Sequence, residues 1–238
     1  MQRNTLLVPA AALLLACSPS SHLERLAREL DRYPEYSIIL EDMKQEGNFF
    51  DDHFHRYKLI HAEPGAAADS LRYKTEVTGW LRVGRGEYEK YDEYLGMALA
   101  SKTPETTAAG LPAPPGYDYV GDPRYGTWQT DAGGNSFWEF YGKYALLSHL
   151  FGMMSRPVFF NDWQDYREQR AGGRPYFGRN REFGTNGTQT RETHKTFFER
   201  RLERDRLAKE RFSKKVQERV RRSNMSRVRS RSSRGFGK

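Results

Sequence analysis

The chain has 238 residues, of which 37% are hydrophobic and 13% aromatic, a mixture that predicts a globular core beside a substantial polar part. The apolar run 6–16 is far shorter than the ~20 residues of a membrane-spanning helix, and polar residues and a proline interrupt the run 145–160. We therefore expect no membrane span. Cys17 is the only cysteine, which excludes a disulfide framework and a cluster of thiolate metal ligands.

The net charge of +8 is distributed unevenly along the chain. Residues 191–238 contain 18 Lys and Arg against 6 Asp and Glu, whereas residues 1–190 contain 21 against 25. The sequence thus predicts a mildly acidic body followed by a strongly basic C-terminal segment. The high isoelectric point describes that segment rather than the whole surface.

The first 17 residues have the pattern of a secretory signal peptide. Arg3 supplies a positive charge, residues 6–16 are apolar, and the small residue Ala16 precedes Cys17. Residues 14–17, Leu-Leu-Ala-Cys, resemble the lipobox of bacterial lipoproteins. That resemblance implies cleavage after Ala16, diacylglycerol on the Cys17 sulfur and often a third acyl chain on the new amino group.

The lipobox resemblance also implies a location. Residues 1–16 would be the signal peptide, and the polar residues 17–21 would be the lipidated tether of an anchored, periplasm-facing envelope protein. One myristoyl chain binds a membrane only marginally, so two or three chains on one residue would hold the protein almost permanently. The residue that follows the lipidated cysteine is Ser18 rather than an aspartate, which favours the outer membrane over the inner membrane as the location. The alternative is an ordinary buried cysteine behind a mis-assigned start.

Residues 22–102 are predicted to form an α+β domain. A helix that ends before Pro34 is predicted by apolar residues at three- and four-residue spacing: Leu23, Leu26, Ala27 and Leu30. Apolar or alternating patterns predict strands of an antiparallel sheet at 36–40, 54–61, 72–83 and 97–99. The helix would cover the apolar face of the sheet, and we expect a cystatin-like or similar small roll.

A Pro- and Ala-rich linker is predicted at 103–116, followed by an aromatic segment at 117–160. Within that segment we expect a turn at 131–135. Ser136 and Glu139 have capping-box spacing, so a helix is predicted from there through Phe151. The aromatic residues would pack in the core, form a groove for a partner protein, or lie at the membrane interface.

The remainder of the chain is predicted to be mostly polar. Residues 161–190, rich in Gly and Arg, should be mostly irregular. A second capping box, Thr196 with Glu199, predicts a basic helix within 191–222. Residues 223–238 are of low complexity in Arg, Ser and Gly, which is typical of a disordered tail.

The densest group of candidate metal ligands is Asp51, His53 and His55. On a strand the two imidazoles would project to one side, and with the carboxylate they could hold a zinc or similar ion. This arrangement favours a metal-dependent periplasmic hydrolase as the alternative function. The simpler interpretation is a polar turn that enters a half-solvated strand. No Gly-x-Ser-x-Gly or His-Glu-x-x-His motif occurs in the sequence, which favours a protein that is not an enzyme and carries no cofactor besides the covalent lipid.

The basic tail is the second feature that indicates a function. Its candidate anion-binding residues are Arg221, Arg222, Arg227, Arg229, Arg231 and Arg234. Arg-rich segments bind polyanions and release counterions. Outside the cytoplasm the expected partners are anionic lipid, a cell-wall polymer or an acidic protein, and nucleic acid is expected only if the chain is not exported. The sequence therefore predicts a lipid-anchored, non-catalytic envelope protein that contacts membrane lipid through its anchor and an anionic surface or partner through its tail.

Overall fold

A computed structural model of the chain describes residues 21–47, 51–65, 70–106, 110–154 and 156–232. For residues 224–232 it describes the backbone alone. The helices are α1 His22–Leu30, α2 Arg85–Tyr91, α3 Ala145–Leu150, α4 Phe160–Ala171, α5 Thr188–Thr193 and α6 Lys195–Ser232. The strands are β1 Tyr36–Glu46, β2 Asp52–Pro64, β3 Leu71–Val77, β4 Leu81–Val83, β5 Ala98–Lys102, β6 Gly126–Thr130 and β7 Ser136–Phe140. This architecture confirms the predicted α+β class.

Strands β1 to β5 form one antiparallel sheet. The order is β3-β2-β1-β5, and β4 pairs with the part of β2 that β3 leaves free. The predicted strand at 72–83 is therefore two strands. Between them the Tyr57 N–H donates to the Thr78 hydroxyl at 3.0 Å, and the Thr78 N–H donates to the Tyr57 carbonyl at 2.9 Å. The predicted edge strand at 97–99 is present as β5.

The centre of the main sheet, at β5, the first half of β1 and the second half of β2, is buried on both faces. Successive residues of a strand point to opposite faces, so Ile38 and Leu59 enter one core while their neighbours Ile39 and Ile60 enter the other. The first, which we call the helix-side core, is closed by α1, α2 and Phe197. The second, the aromatic core, is closed by residues of the 110–176 region. Burial on both faces explains why β1 carries the consecutive apolar residues Ile38, Ile39 and Leu40.

The predicted linker is part of this packing. Ala113 is buried and exchanges two backbone hydrogen bonds with Ala98 of β5, at 2.9 and 3.1 Å. Residues 110–116 therefore lie against the edge strand and lead directly into the aromatic core. These residues of the predicted linker 103–116 are thus packed on the sheet, because a sheet edge can bind an extended chain whatever its composition.

The helix predicted to begin at Ser136 is a strand over its first five residues. β7 pairs with β6 in a hairpin that places Trp128 opposite Trp138. The Asp131 side chain accepts the Gly133 and Asn135 N–H groups at 2.8 Å each, which closes the predicted turn. The Ser136 capping-box pattern was misleading because alternate burial of aromatic residues against β6 outweighs it, and helix α3 begins only at Ala145.

The segment 161–190, predicted to be mostly irregular, contains a helix that was not predicted. Helix α4 covers Phe160–Ala171 and turns Tyr166 into the aromatic core. The sequence shows no clear helical stripe there because most residues of α4 are polar and Tyr166 alone is buried. Trp163 is partly buried against the same core.

Helix α6 begins at Lys195, one residue before the predicted capping residue Thr196, and it is the longest helix among the described residues. Its 38 residues extend about 57 Å at ~1.5 Å per residue. The helix continues to Ser232, so the predicted change to a disordered tail at 223 is wrong for residues 223–232. Arginine is a good helix former, and a helix that is already nucleated can therefore extend through an Arg-rich sequence.

Candidate functional site

Helix α6 is held at its first turn and is exposed beyond it. Phe197 is 6% exposed and packs in the helix-side core, with Phe198 partly buried beside it. All residues from 201 to 223 are exposed, and the aromatic ring of Phe212 is an extreme case at 70%. The helix therefore presents most of its described surface to solvent.

The exposed surface of α6 carries a large excess of positive charge. Residues 195–232 contain 15 Lys and Arg but only 5 Asp and Glu. Arg206 contacts Glu203 at 3.1 Å and Glu210 at 3.8 Å, so some of the acids are already used within the helix. Because so few acids are present, most of the basic residues of α6 are not neutralised by carboxylates of the same helix.

The base of α6 joins basic residues of the sheet. Asp42 of β1 is buried, and its carboxylate accepts the Arg200 guanidinium at 2.6 Å and the Arg56 guanidinium at 3.5 Å. The indole ring of Trp80 lies 4.5 Å from the Lys44 ammonium, 5.0 Å from the Arg56 guanidinium and 5.8 Å from that of Arg200. We call these residues, Asp42 with Lys44, Arg56, Trp80 and Arg200, the basic root.

The basic root extends the positive surface of α6 onto the body. It holds three cations within 6 Å of the centre of one indole ring, where cation–π attraction favours them, and one buried carboxylate shared by two arginines. Sequence analysis missed this group because its members come from β1, β2, the turn before β4 and α6. A separation of 158 residues between Asp42 and Arg200 leaves no local pattern to detect.

The predicted tail residues fall into three groups. Arg221 and Arg222 are exposed on α6. For Arg227, Arg229 and Arg231 the helical backbone alone is described. Arg234 lies outside the described residues, as does Cys17 with the whole of segment 1–20. The structure thus places the first two on the same helix as Arg200 of the basic root.

The predicted metal ligands do not converge. Asp51 is exposed, whereas His53 and His55 face inward against the ring of Tyr88, with centroid separations of 4.8 and 5.4 Å. The Nδ1 atom of His55 lies 3.0 Å from the Tyr57 hydroxyl oxygen. Within the described ranges no group of three or more His, Cys, Asp or Glu side chains is arranged to hold a metal ion.

Burial determines the chemistry of His55. Its side chain is completely buried, and this burial, with smaller contributions from the charges of His22 and His53, lowers the pKa of His55 to about 4. The imidazole is therefore neutral near pH 7. Its ring stacks on Tyr88 in the helix-side core, so packing accounts for its position and the geometry offers no support for the predicted metal site.

A buried carboxylate, Glu35, links the sheet to the aromatic core. Its two oxygens accept the hydroxyl groups of Tyr73 and Tyr125, each at 2.7 Å. Burial raises the pKa of Glu35, and the two tyrosine hydrogen bonds oppose the rise. Both phenol groups are thereby satisfied inside the protein, which makes Glu35 a structural junction. In the sequence it was indistinguishable from the many solvated acids.

None of the comparisons made with family models, curated proteins and solved structures found a match for this chain. The predicted cystatin-like roll therefore has no related structure to support it. Among the residues that the structure describes, no helix combines the length and the apolar character needed to cross a membrane.

Proposed function

We propose that the protein is a lipid-anchored, non-catalytic component of a bacterial cell envelope, and that helix α6 binds an anionic surface. The observation that carries the proposal is the exposure of residues 201–223 on a helix with 15 basic and 5 acidic residues. A helix that buries one aromatic turn gains little stability from packing along the rest of its length. Its accessible charge is therefore the property that a partner would recognise.

The choice of a membrane as the anionic surface follows from the proposed anchor at Cys17. Acyl chains on that residue would keep the protein within reach of lipid head groups. Basic residues near an anionic membrane contribute about 1 kcal/mol each, and stable peripheral attachment commonly combines lipid with a basic patch. Cell-wall polymers and acidic proteins remain alternative anions. Nucleic acid becomes the leading partner if the chain is not exported.

Binding to the anionic surface is tested with vesicles and the chain from residue 17 onward. Sedimentation with phosphatidylglycerol vesicles is compared with sedimentation with phosphatidylcholine vesicles, from low to high salt. We expect strong binding to the anionic vesicles at low salt and a steep loss as salt screens the charges. Equal binding to both vesicle types, or binding that salt does not change, would contradict the proposal.

The contribution of α6 is isolated by charge-matched variants. Arg221→Gln/Arg222→Gln removes two exposed charges from α6, and Arg167→Gln/Arg174→Gln removes two exposed charges from α4 and the turn that follows it. The first variant should weaken vesicle binding by up to about 30-fold, since each charge contributes about 1 kcal/mol. The second should leave it close to that of the unmodified protein. A chain that ends before Ser223 should bind more weakly still.

The anchor is tested separately in the native host. The intact mass of the protein from the membrane fraction should equal that of residues 17–238 plus acyl groups. The Cys17→Ala variant should be lost from that fraction. A soluble chain that still carries Met1 would refute both the anchor and the envelope location.

A further inference from the structure

A cleft lies where α6 leaves the body, and we call it the α6 cleft. Its volume is about 250 Å³, and its floor consists of Met43, Tyr88 and Phe197, all of which belong to the helix-side core. Arg200, Arg201 and Arg204 of α6 form part of its wall. An apolar floor with several guanidinium groups at the rim is a suitable environment for a small anion with an organic part.

The three arginines of the α6 cleft are not equivalent. Arg200 is paired with the buried carboxylate of Asp42 at 2.6 Å. Arg201 and Arg204 make no ion pair within 4 Å with any carboxylate of the described residues, although Arg201 interacts electrostatically with Asp92, which also lines the cleft. The two residues are three positions apart and therefore share one side of the helix.

The charges of these two arginines reach the floor of the cleft. Burial raises the pKa of Tyr88, and the positive charges of Arg204 and Arg201 oppose that rise. Both guanidinium groups thus act on the same buried ring. The other ionic groups of the lining are Lys44 and Glu46, which contact each other at 2.6 Å, and Asp92, so the lining retains an excess of positive charge.

We propose that the α6 cleft binds a phosphate group, with Arg201 and Arg204 as its main ligands. A guanidinium presents parallel N–H donors that match two oxygens of a phosphate, which an ammonium cannot do. The volume is near the lower end of the ~300–1,000 Å³ typical of ligand pockets, so it suits a phosphate with a small substituent rather than an extended polymer. The phosphate would belong to a lipid head group or to a soluble phosphate ester. The inference rests on the proposed role of α6 and assigns a specific site to its base.

The test compares two double variants of the same helix that lose the same charge. Arg201→Gln/Arg204→Gln removes the cleft ligands, and Arg219→Gln/Arg222→Gln removes two exposed arginines 15 or more residues further along α6. All four side chains are exposed, so both variants should fold, and circular dichroism with thermal melting checks this. Calorimetric titration with inorganic phosphate and glycerol phosphate at physiological salt measures the site itself.

We expect the unmodified protein and the Arg219/Arg222 variant to bind the phosphate probes with affinities within twofold of each other. The Arg201/Arg204 variant should bind at least tenfold more weakly. Sedimentation with vesicles that contain phosphatidic acid provides the lipid probe, and it is expressed relative to phosphatidylglycerol vesicles because any loss of charge from α6 weakens binding to both. Binding to both soluble and lipid phosphate would identify a site open to soluble esters. Binding only to the vesicles would identify a site for a lipid head group. Either result supports the inference if binding is lost in the Arg201/Arg204 variant.

Two outcomes would overturn the inference. One is the same loss of binding to the phosphate probes in both double variants, with lipid binding taken relative to phosphatidylglycerol vesicles, which would show that charge anywhere on α6 suffices. The other is no dependence of any phosphate probe, soluble or lipid, on Arg201 and Arg204. In both cases α6 can still bind phosphatidylglycerol vesicles in a salt-dependent way, so failure of the α6 cleft is distinguishable from failure of the proposed function.

Discussion

The body of the protein and helix α6 use similar residues in opposite ways. In the body, tyrosines and isoleucines from both faces of one sheet are buried, and even a carboxylate such as Glu35 is enclosed by hydrogen-bond donors. Along α6, leucine, phenylalanine and valine side chains remain exposed among charges. Burial of side chains therefore stabilises the body, whereas α6 beyond its first turn depends on local helix propensity. The exposed side chains of α6 are available to a binding partner.

The ion pairs of the two regions differ in the same way. The side chain of Asp42 is 5% exposed and binds Arg200 of the first turns of α6, whereas that of Glu203 is 54% exposed and binds Arg206 one turn later. Desolvation makes the first pair part of the folded core. The second is screened by water and contributes little. The boundary between the two regions therefore lies within the first turns of α6, where the basic root is.

The largest expected difference is between two phenylalanines of the same helix. Phe197→Ala should lower the free energy of unfolding by about 3–5 kcal/mol, because it leaves a cavity in the helix-side core. Phe212→Ala, at a side chain that is 70% exposed, should change it by less than ~0.5 kcal/mol. Urea denaturation followed by circular dichroism measures both. Similar losses in the two variants would mean that α6 packs on the body well beyond its first turn.

Glu35 should be the most sensitive polar position of the body. Glu35→Ala removes the acceptor of two buried tyrosine hydroxyl groups, and each unsatisfied group costs about 1–3 kcal/mol. Glu35→Gln retains one acceptor and removes the buried charge, so it should cost less. A denaturation series that finds Glu35→Ala as stable as the unmodified protein would contradict the structural role of this carboxylate.

His55 and Glu35 should give opposite pH dependences of stability. The pKa of His55 is lowered to about 4, so below its unfolded value of ~6.5 the unfolded chain takes up a proton that the folded protein excludes. Stability should therefore fall between pH 6.5 and pH 4, by about 3 kcal/mol in total. The pKa of Glu35 is raised, so its contribution is present below pH 4.5 and is lost as the pH rises through the folded pKa.

Variants at these positions separate the two contributions. Denaturation at pH 4 and pH 7 measures how far stability falls toward low pH. In His55→Gln much of that fall should be absent. His149→Gln, which replaces an exposed histidine, should retain that decrease. Glu35→Gln should remove the decrease that Glu35 causes at higher pH. Profiles of all three variants parallel to that of the unmodified protein would show that neither buried group is linked to unfolding.

The smallest effects should come from the ion pairs. Arg200→Gln leaves Asp42 with Arg56 at 3.5 Å as an ion-pair partner and with the Met43 N–H at 2.8 Å, and because Arg200 itself is partly exposed we expect a loss of about 1 kcal/mol. Arg206→Gln should change the free energy of unfolding by less than ~0.5 kcal/mol. Thermal melting at low and high salt provides the measurement. A larger loss for Arg206→Gln would indicate that α6 takes part in the cooperative unit.

The order of expected effects locates the boundary between body and surface by experiment. The free energy of unfolding should change most for substitutions at Phe197 and Glu35 and less at the Asp42–Arg200 pair of the basic root. It should change least at the exposed Glu203–Arg206 pair. If phosphate binding follows Arg201 and Arg204 while stability follows Phe197 and Glu35, the first turns of α6 combine attachment to the body with recognition of a ligand. A reversal of this order would mean that α6 is stabilised by contacts along its whole length.

The sequence by itself determined the α+β class, the first helix, the positions of the sheet strands and the basic C-terminal helix. Each of these depends on periodicity or composition within a short window, as in Leu23 to Leu30 or the alternation after Arg72. The lipid anchor at Cys17 remains a prediction from the sequence, because it lies outside the described residues. Helix α2 and helix α4 gave no clear local signal, and neither was predicted.

Only the tertiary structure decided which residues share an environment. Ser136–Phe140 became a strand because pairing with β6 buries alternate aromatic rings, and this long-range gain outweighs a local capping pattern. His55 became a core residue because Tyr88, 33 positions away, stacks on it. The basic root and the α6 cleft join β1, β2 and α6 across more than 150 residues. Such groups form when the chain folds, since burial and charge pairing depend on distance in space rather than on separation along the sequence.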